Sequence, residues 1–288
     1  MLWQGRRQSS NIEDRRGMSG KGLAVGGGIG TMLIAAVIYL LGGDPSTVLN
    51  GDPGNGPSQE IQAPNTVSDE SGQFAAVVLA DTEDTWTALF KQMNITYSVP
   101  KLVLFTQATQ SGCGFASQAT GPFYCPADSK VYVDLSFFDE MKKRFNASGD
   151  FAQAYVIAHE VGHHVQHLLG ITDKVDAQKG RLNESEMNKL SVKLELQADF
   201  LAGVWAHYQQ QKQDPQMNKA VIQAGDIEEA LNAANAIGDD RLQEQSQGYV
   251  VPDAFTHGTS AQRIAWFKKG YSTGDINQGD TFNDPSLD

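Results

Sequence analysis

The chain has 288 residues, 40% of them hydrophobic and 19% charged, a length that can bury one good-sized core. Its net charge of −12 and pI near 4.9 exclude nucleic acid as an expected partner, because phosphate binding needs a basic surface. The charge is uneven: residues 1–21 hold Arg6, Arg7, Arg15, Arg16 and Lys21 against Glu13 and Asp14, a local +3 that leaves −15 for the remainder.

Residues 22–43, GLAVGGGIGTMLIAAVIYLLGG, carry no charge. As a helix this run would reach about 33 Å, enough for a hydrocarbon core of roughly 30 Å. Basic residues before it and none soon after predict an uncleaved transmembrane helix with a cytoplasmic N-terminus (1–21) and the rest outside. A cleaved signal peptide is the rival reading, but no small-x-small site follows the run; a buried helix would leave the charge asymmetry unexplained. Residues 44–72 are rich in Gly, Pro, Asn and Ser and read as a flexible linker. The acidic tail 271–288 has the same character and reads as disordered, so the folded domain is expected over 73–270.

Within the domain, 74–93 has helical apolar spacing through Val77, Val78, Trp86, Leu89 and Phe90. Lys101–Phe105 and Val131–Leu135 are short β-type runs. Between them a Gly-rich loop holds Cys113 and Cys125. Twelve apart on the predicted outer side of a membrane, they most simply form a disulfide, with buried free thiols as the alternative. Helices are expected over 136–146, 151–169, 184–211, 216–223, 227–237 and 259–269, with Asp226 and Glu229 forming a capping-box-like start. Strands first and helices later indicate an α+β domain, mostly helical with a small sheet.

The chemistry is carried by His159-Glu160-Val161-Gly162-His163. On a helix, residues four apart share a face, so both imidazoles can reach one Zn2+. Glu160, offset by one residue, can take a proton from an attacking water without ligating the metal. A catalytic zinc needs a third protein ligand and an open position. His164 faces another side, and His167 lies too far along the helix. A metzincin would need Gly at 166 and His at 169, where this chain has Gln166 and Leu169. Glu195 is the better candidate, with Asp199 one turn on to orient a ligand histidine. Taken alone, such a pair of acids is usually a solvated helix face, but here Leu194, Leu196, Ala198, Phe200 and Leu201 surround it. For a group that stabilises negative charge on the carbonyl oxygen, His257, Arg263 and Tyr249 are all candidates.

HEVGHHVQH, LELQADFLAG, DIEEALNAANAIGDDRLQ and THGTSAQRIAWFKKGY, with the early EDRRG, resemble the bacterial neutral zinc metallopeptidase family, and more distantly the gluzincin peptidases with H-E-x-x-H followed by E-x-x-x-D. The resemblance implies a zincin-like fold and one Zn2+ held by His159, His163 and Glu195. Glu160 would then be the base, Asp199 the residue behind a ligand, and His257 the transition-state stabiliser. It further implies Val131–Leu135 as an edge strand for an extended peptide. The expected protein is a peptidase acting on peptides or proteins, anchored by a single pass in the bacterial inner membrane with its domain on the periplasmic side. The alternative is a non-catalytic zinc-binding domain that recruits partners.

Overall fold

The computed structural model describes residues 1–17, 67–117, 120–145, 147–214 and 216–288. The apolar run 22–43 and linker residues 44–66 lie outside the described residues. Among the described residues no helix is long and apolar enough to cross a membrane. Met1–Arg15 and Pro64–Asp288 form one compact unit. It is a mostly helical α+β domain, as the order of its elements predicts.

Its sheet has four strands: β1 (Ile12–Asp14), β2 (Lys101–Phe105), β6 (Lys130–Asp134) and β5 (Phe123–Cys125), in the order β1-β2-β6-β5. β1 and β6 both run parallel to β2, while β5 is antiparallel to β6. Val131–Leu135 is therefore interior, and the expectation of an edge strand there is corrected: β5 is the edge on that side of the sheet, β1 the other. Leu102, Leu104, Val131 and Val133 face the main core, and Val103, Phe105, Cys125 and Tyr132 form a smaller core on the opposite face. With both faces covered, the central strands β2 and β6 are apolar apart from charged residues at their ends. A hairpin of β3 (Ala108–Ser111) and β4 (Gly114–Ser117) projects between β2 and β5, and the Cys113–Cys125 disulfide ties its tip to the edge strand.

The helices are α1 (Glu70–Gln92), α2 (Ser136–Phe145), α3 (Asp150–Leu168), α4 (Ile171–Asp176), α5 (Glu184–Gln211), α6 (Asp226–Ala236), α7 (Asp239–Gln247) and α8 (Ser260–Thr273). α3 runs through the middle of the core, where Phe151 stacks on Trp205 of α5 with ring centroids 5.7 Å apart. Capping boxes set the starts of α5, at Asn183 with Glu186, and α8, at Thr259 with Gln262. The expected box of Asp226 with Glu229 does not form. Gly225 precedes α6, and Glu229 instead accepts from the Phe151 N–H at 3.0 Å, capping α3 from a neighbouring helix. The helix expected over 216–223 is replaced by the short strands β7 (Gln213–Asp214) and β8 (Lys219–Ala220). Asp214 accepts from the backbone N–H groups of Gln216 and Met217 and holds a turn there.

Three expectations about the ends of the domain are corrected. Helix α1 begins inside the expected linker, because Asp69 caps it by accepting from the Gly72 N–H. Residues 274–288 are packed rather than disordered: Thr281 is fully buried, and Lys193 pairs with Asp288 at 2.7 Å. The basic N-terminal segment is part of the domain. Ile12 is buried in the sheet, Arg6 makes two hydrogen bonds to the buried Asp81, and Arg7, Ser9 and Asn11 converge on Glu83.

A strand bonded into a sheet cannot stand across a bilayer from it. Residues 1–15 and the domain therefore share one side of any membrane, and the cytoplasmic N-terminus opposite an external domain is set aside. The asymmetry rule counts basic residues facing the lipid surface, but Arg6, Arg7 and Arg15 are bonded to carboxylates of this domain. Cysteines introduced at Gln8 and Glu244 should react alike with a membrane-impermeant maleimide in spheroplasts; opposite reactivity would restore the separated arrangement.

Candidate metal centre

His159 and His163 project from α3 into a cleft of about 690 Å3, and Glu195 reaches it from α5. The two helices can approach because residue 162 is glycine. A Cβ there would lie 3.0 Å from the Ala198 carbonyl oxygen on α5. His159 Nε2 is 3.1 Å from Glu195 Oε2, and His163 Nε2 is 3.4 Å from Glu195 Oε1. The three donor atoms all lie within 4.8 Å of one another. Ligands about 2.0–2.1 Å from a tetrahedral zinc stand roughly 3.3 Å apart, so this donor set fits the ion. Among the described residues it is the one cluster of metal-binding type.

The far nitrogens of the histidines are also held. His159 Nδ1 is 2.9 Å from Asp199 Oδ1, and His163 Nδ1 is 2.9 Å from Gln166 Oε1. Asp199 is fully buried and also accepts from Tyr155 Oη and, through both its oxygens, from Arg263. Burial alone would raise the Asp199 carboxyl, but Arg263 and His159 outweigh it and hold it at about 2. Burial likewise opposes charge on His159, and Asp199 with Glu195 overrides it, pushing the imidazole up to about 10 when only protons compete for it. A negative second partner of this kind raises the ligand's basicity toward a cation.

The family model described as "Putative neutral zinc metallopeptidase" matches residues 1–282. The chain belongs to that family. It is 52% identical over 291 residues to the Escherichia coli K12 protein named Uncharacterized protein YpfJ, an alignment covering 98% of this chain and 99% of that one. It is 40% identical over 257 residues to Uncharacterized protein Rv2575 of Mycobacterium tuberculosis, covering 86% of each. No solved structure matches.

In this metallopeptidase-family chain the other candidates separate by location. Glu160 lines the cleft beside the donor cluster. His257 lines it too, held from behind by Asp239. Asp239 Oδ2 accepts the N–H groups of Thr256, His257 and Gly258, and Oδ1 lies 3.2 Å from His257 Nδ1. That hydrogen bond raises the His257 pKa and favours its cation. Arg263 lines the cleft as well, but it is 2% exposed and its guanidinium is engaged by Asp199, Tyr155 Oη and the Ile237 carbonyl. Tyr249 is 61% exposed and lies outside the cleft lining.

His164, excluded as a ligand on sequence grounds, holds the edge strand. Its Nε2 donates to the Ser98 carbonyl at 2.6 Å, and burial lowers its pKa to about 4, so it is neutral and Nδ1 accepts. Tyr124 on β5 donates its hydroxyl to that nitrogen and accepts from His167 Nδ1 at 2.7 Å. Both histidines thus tie Tyr124, and the cleft wall it forms, to α3.

Sequence reading does not find Asp239, Tyr155 or Gln166. Asp239 stands among ordinary first-turn acids of a helix, and Tyr155 looks like one more core aromatic. Gln166 carries a signal, a polar residue three positions after the candidate ligand His163 on the same helix.

Proposed function

We propose that the chain is a gluzincin-type endopeptidase in which His159, His163 and Glu195 hold one Zn2+ and Glu160 is the general base. The observation that carries this reading is the convergence of two imidazole Nε2 atoms and one carboxylate at the floor of an open cleft, with Glu160 in its lining. Zinc bound there would supply Lewis acidity, making a water nucleophilic and polarising a carbonyl. Glu160 accepts the proton of the attacking water and passes it to the leaving amine. His257, biased toward its cation by Asp239, stabilises negative charge on the carbonyl oxygen. An extended peptide would pair along β5, whose Phe123 and Tyr124 line the cleft with Phe137 and Leu242.

A structural zinc site is closed by four protein ligands, whereas the donor cluster among the described residues has three members and opens on the cleft. That favours catalysis over partner recruitment. Incubating the full chain with a peptide library should give cleavage that a chelator abolishes and added zinc restores. Chelator-insensitive cleavage would sink the mechanism, and zinc binding with no cleavage would leave the recruitment reading.

The protein's proposed place is outside the cytoplasm, at a bacterial inner membrane, with residues 22–43 as the membrane-associating segment. The disulfide supports an oxidising compartment.

A further inference from the structure

Two carbonyl groups fix the orientation of a buried amide chain that ends on a proposed metal ligand. Gly279, in the C-terminal segment, presents its backbone oxygen 2.8 Å from Gln197 Nε2. A carbonyl can only accept, so the Gln197 amide nitrogen must point there, leaving its Oε1 as an acceptor. Gln166 Nε2 lies 3.0 Å from that Oε1 and 2.7 Å from the Leu194 carbonyl, so both its hydrogens are committed. Gln166 Oε1 is therefore the atom facing His163 Nδ1 at 2.9 Å, and it can only accept. Nδ1 must carry the hydrogen, and the lone pair falls on Nε2, the atom beside Glu195.

The chain is dry and built in. Gln166 is 0% exposed and Gln197 8% exposed. The C-terminal segment is pressed onto α5, where a Cβ on Gly279 would stand 2.4 Å from the Phe200 ring. Thr281 Oγ1 donates to the Lys193 carbonyl at 2.7 Å and fastens the segment one turn before Gln197.

We propose that Gln166, oriented by Gln197 and the Gly279 carbonyl, is the positioning residue that fixes the tautomer and ring angle of His163 for metal binding through Nε2. The two ligand histidines are then held by different chemistry: His159 by a charged carboxylate, His163 by a neutral amide relay from the C-terminal segment. This inference rests on the metal-centre reading above, and its test separates the two.

Zinc affinity would be measured by competition with a chromophoric chelator, alongside thermal melting of the metal-free proteins. Gln166→Leu keeps the volume and removes the acceptor; it should bind zinc roughly 10–100-fold more weakly, the usual effect of losing such an outer partner. Gln166→Glu restores an acceptor at the same reach and should stay within a few-fold of the parent, although its apo form melts lower beside the Leu194 carbonyl. A mere packing role predicts the reverse order, since a buried site takes leucine more easily than a carboxylate. If the parent binds no zinc, the metal-centre reading fails; if the parent binds and Gln166→Leu binds equally well, the positioning inference fails alone. Should Gln166→Leu not fold, Gln197→Leu carries the test: weaker zinc binding supports the relay, and unchanged affinity overturns it.

Discussion

Glu160→Gln is expected to keep its zinc and lose its peptidase activity. The side chain is 7% exposed in the cleft lining and stands outside the donor set of His159, His163 and Glu195. Glutamine preserves its size and polarity but cannot accept a proton, so the base is removed while the ligands stay in place. General-base catalysis of this kind contributes roughly 10²–10⁴-fold, and kcat should fall by about that factor. Two measurements check it: metal content of the purified variant by atomic emission, and turnover of a peptide that the parent cleaves. A variant as active as the parent would remove Glu160 from the mechanism, and a variant without zinc would make it part of the ligand set.

The second large effect is expected at Arg263, on stability rather than chemistry. Its guanidinium meets Asp199 through two hydrogen bonds of 2.8 and 3.0 Å, both residues being buried. Arg263→Leu strands the Asp199 carboxylate in the core, and breaking a buried pair from one side costs about 3–5 kcal/mol. Chemical denaturation of the metal-free protein measures it; a loss below about 1 kcal/mol would show that the pair is not the support proposed. Combining Arg263→Leu with Asp199→Asn should recover much of the stability, since a neutral amide no longer needs the cation. Zinc affinity should not recover, because His159 loses its anionic partner.

The same pair sets an acid limit. Asp199 is held at about 2, below its ordinary value, so the folded state prefers the ionised carboxyl. Its contribution to stability is present in full above the unfolded value near 4 and is lost as pH falls from there through about 2. The Arg263→Leu variant should lack that part of the acid transition.

What was legible in the sequence was local. H-E-x-x-H can be read because four residues make one helical turn, whatever surrounds it, and Glu195 with Asp199 obeys the same spacing. α3 and α5 appeared within about a residue of their expected limits, since apolar periodicity over long segments depends little on neighbours. The family resemblance, carried by motifs along the chain, agrees with the model match over residues 1–282.

The misreadings were of residues whose partners are far away in sequence. Arg6 is bonded to Asp81, 75 positions on, and nothing near Arg6 signals that its charge is spent on the domain. Residues 271–288 look disordered by composition because the surface that orders them belongs to α5. Arg263, a candidate for the carbonyl oxygen by sequence, is engaged by Asp199, 64 positions earlier, a partner that nothing near it in the chain announces. β5 is too short and mixed to announce an edge strand, and only its pairing with β6 makes it one.

By itself, then, the sequence determined the candidate metal-ligating residue types, their helical frame and the family, because each depends on motifs with fixed local spacing. Only the tertiary structure decided which groups stand behind the candidate ligands, which polar side chains line the cleft and that the N-terminal segment is bonded into the domain. Those are outcomes of packing between elements, where hydrogen-bond geometry and burial, rather than position along the chain, choose the partners.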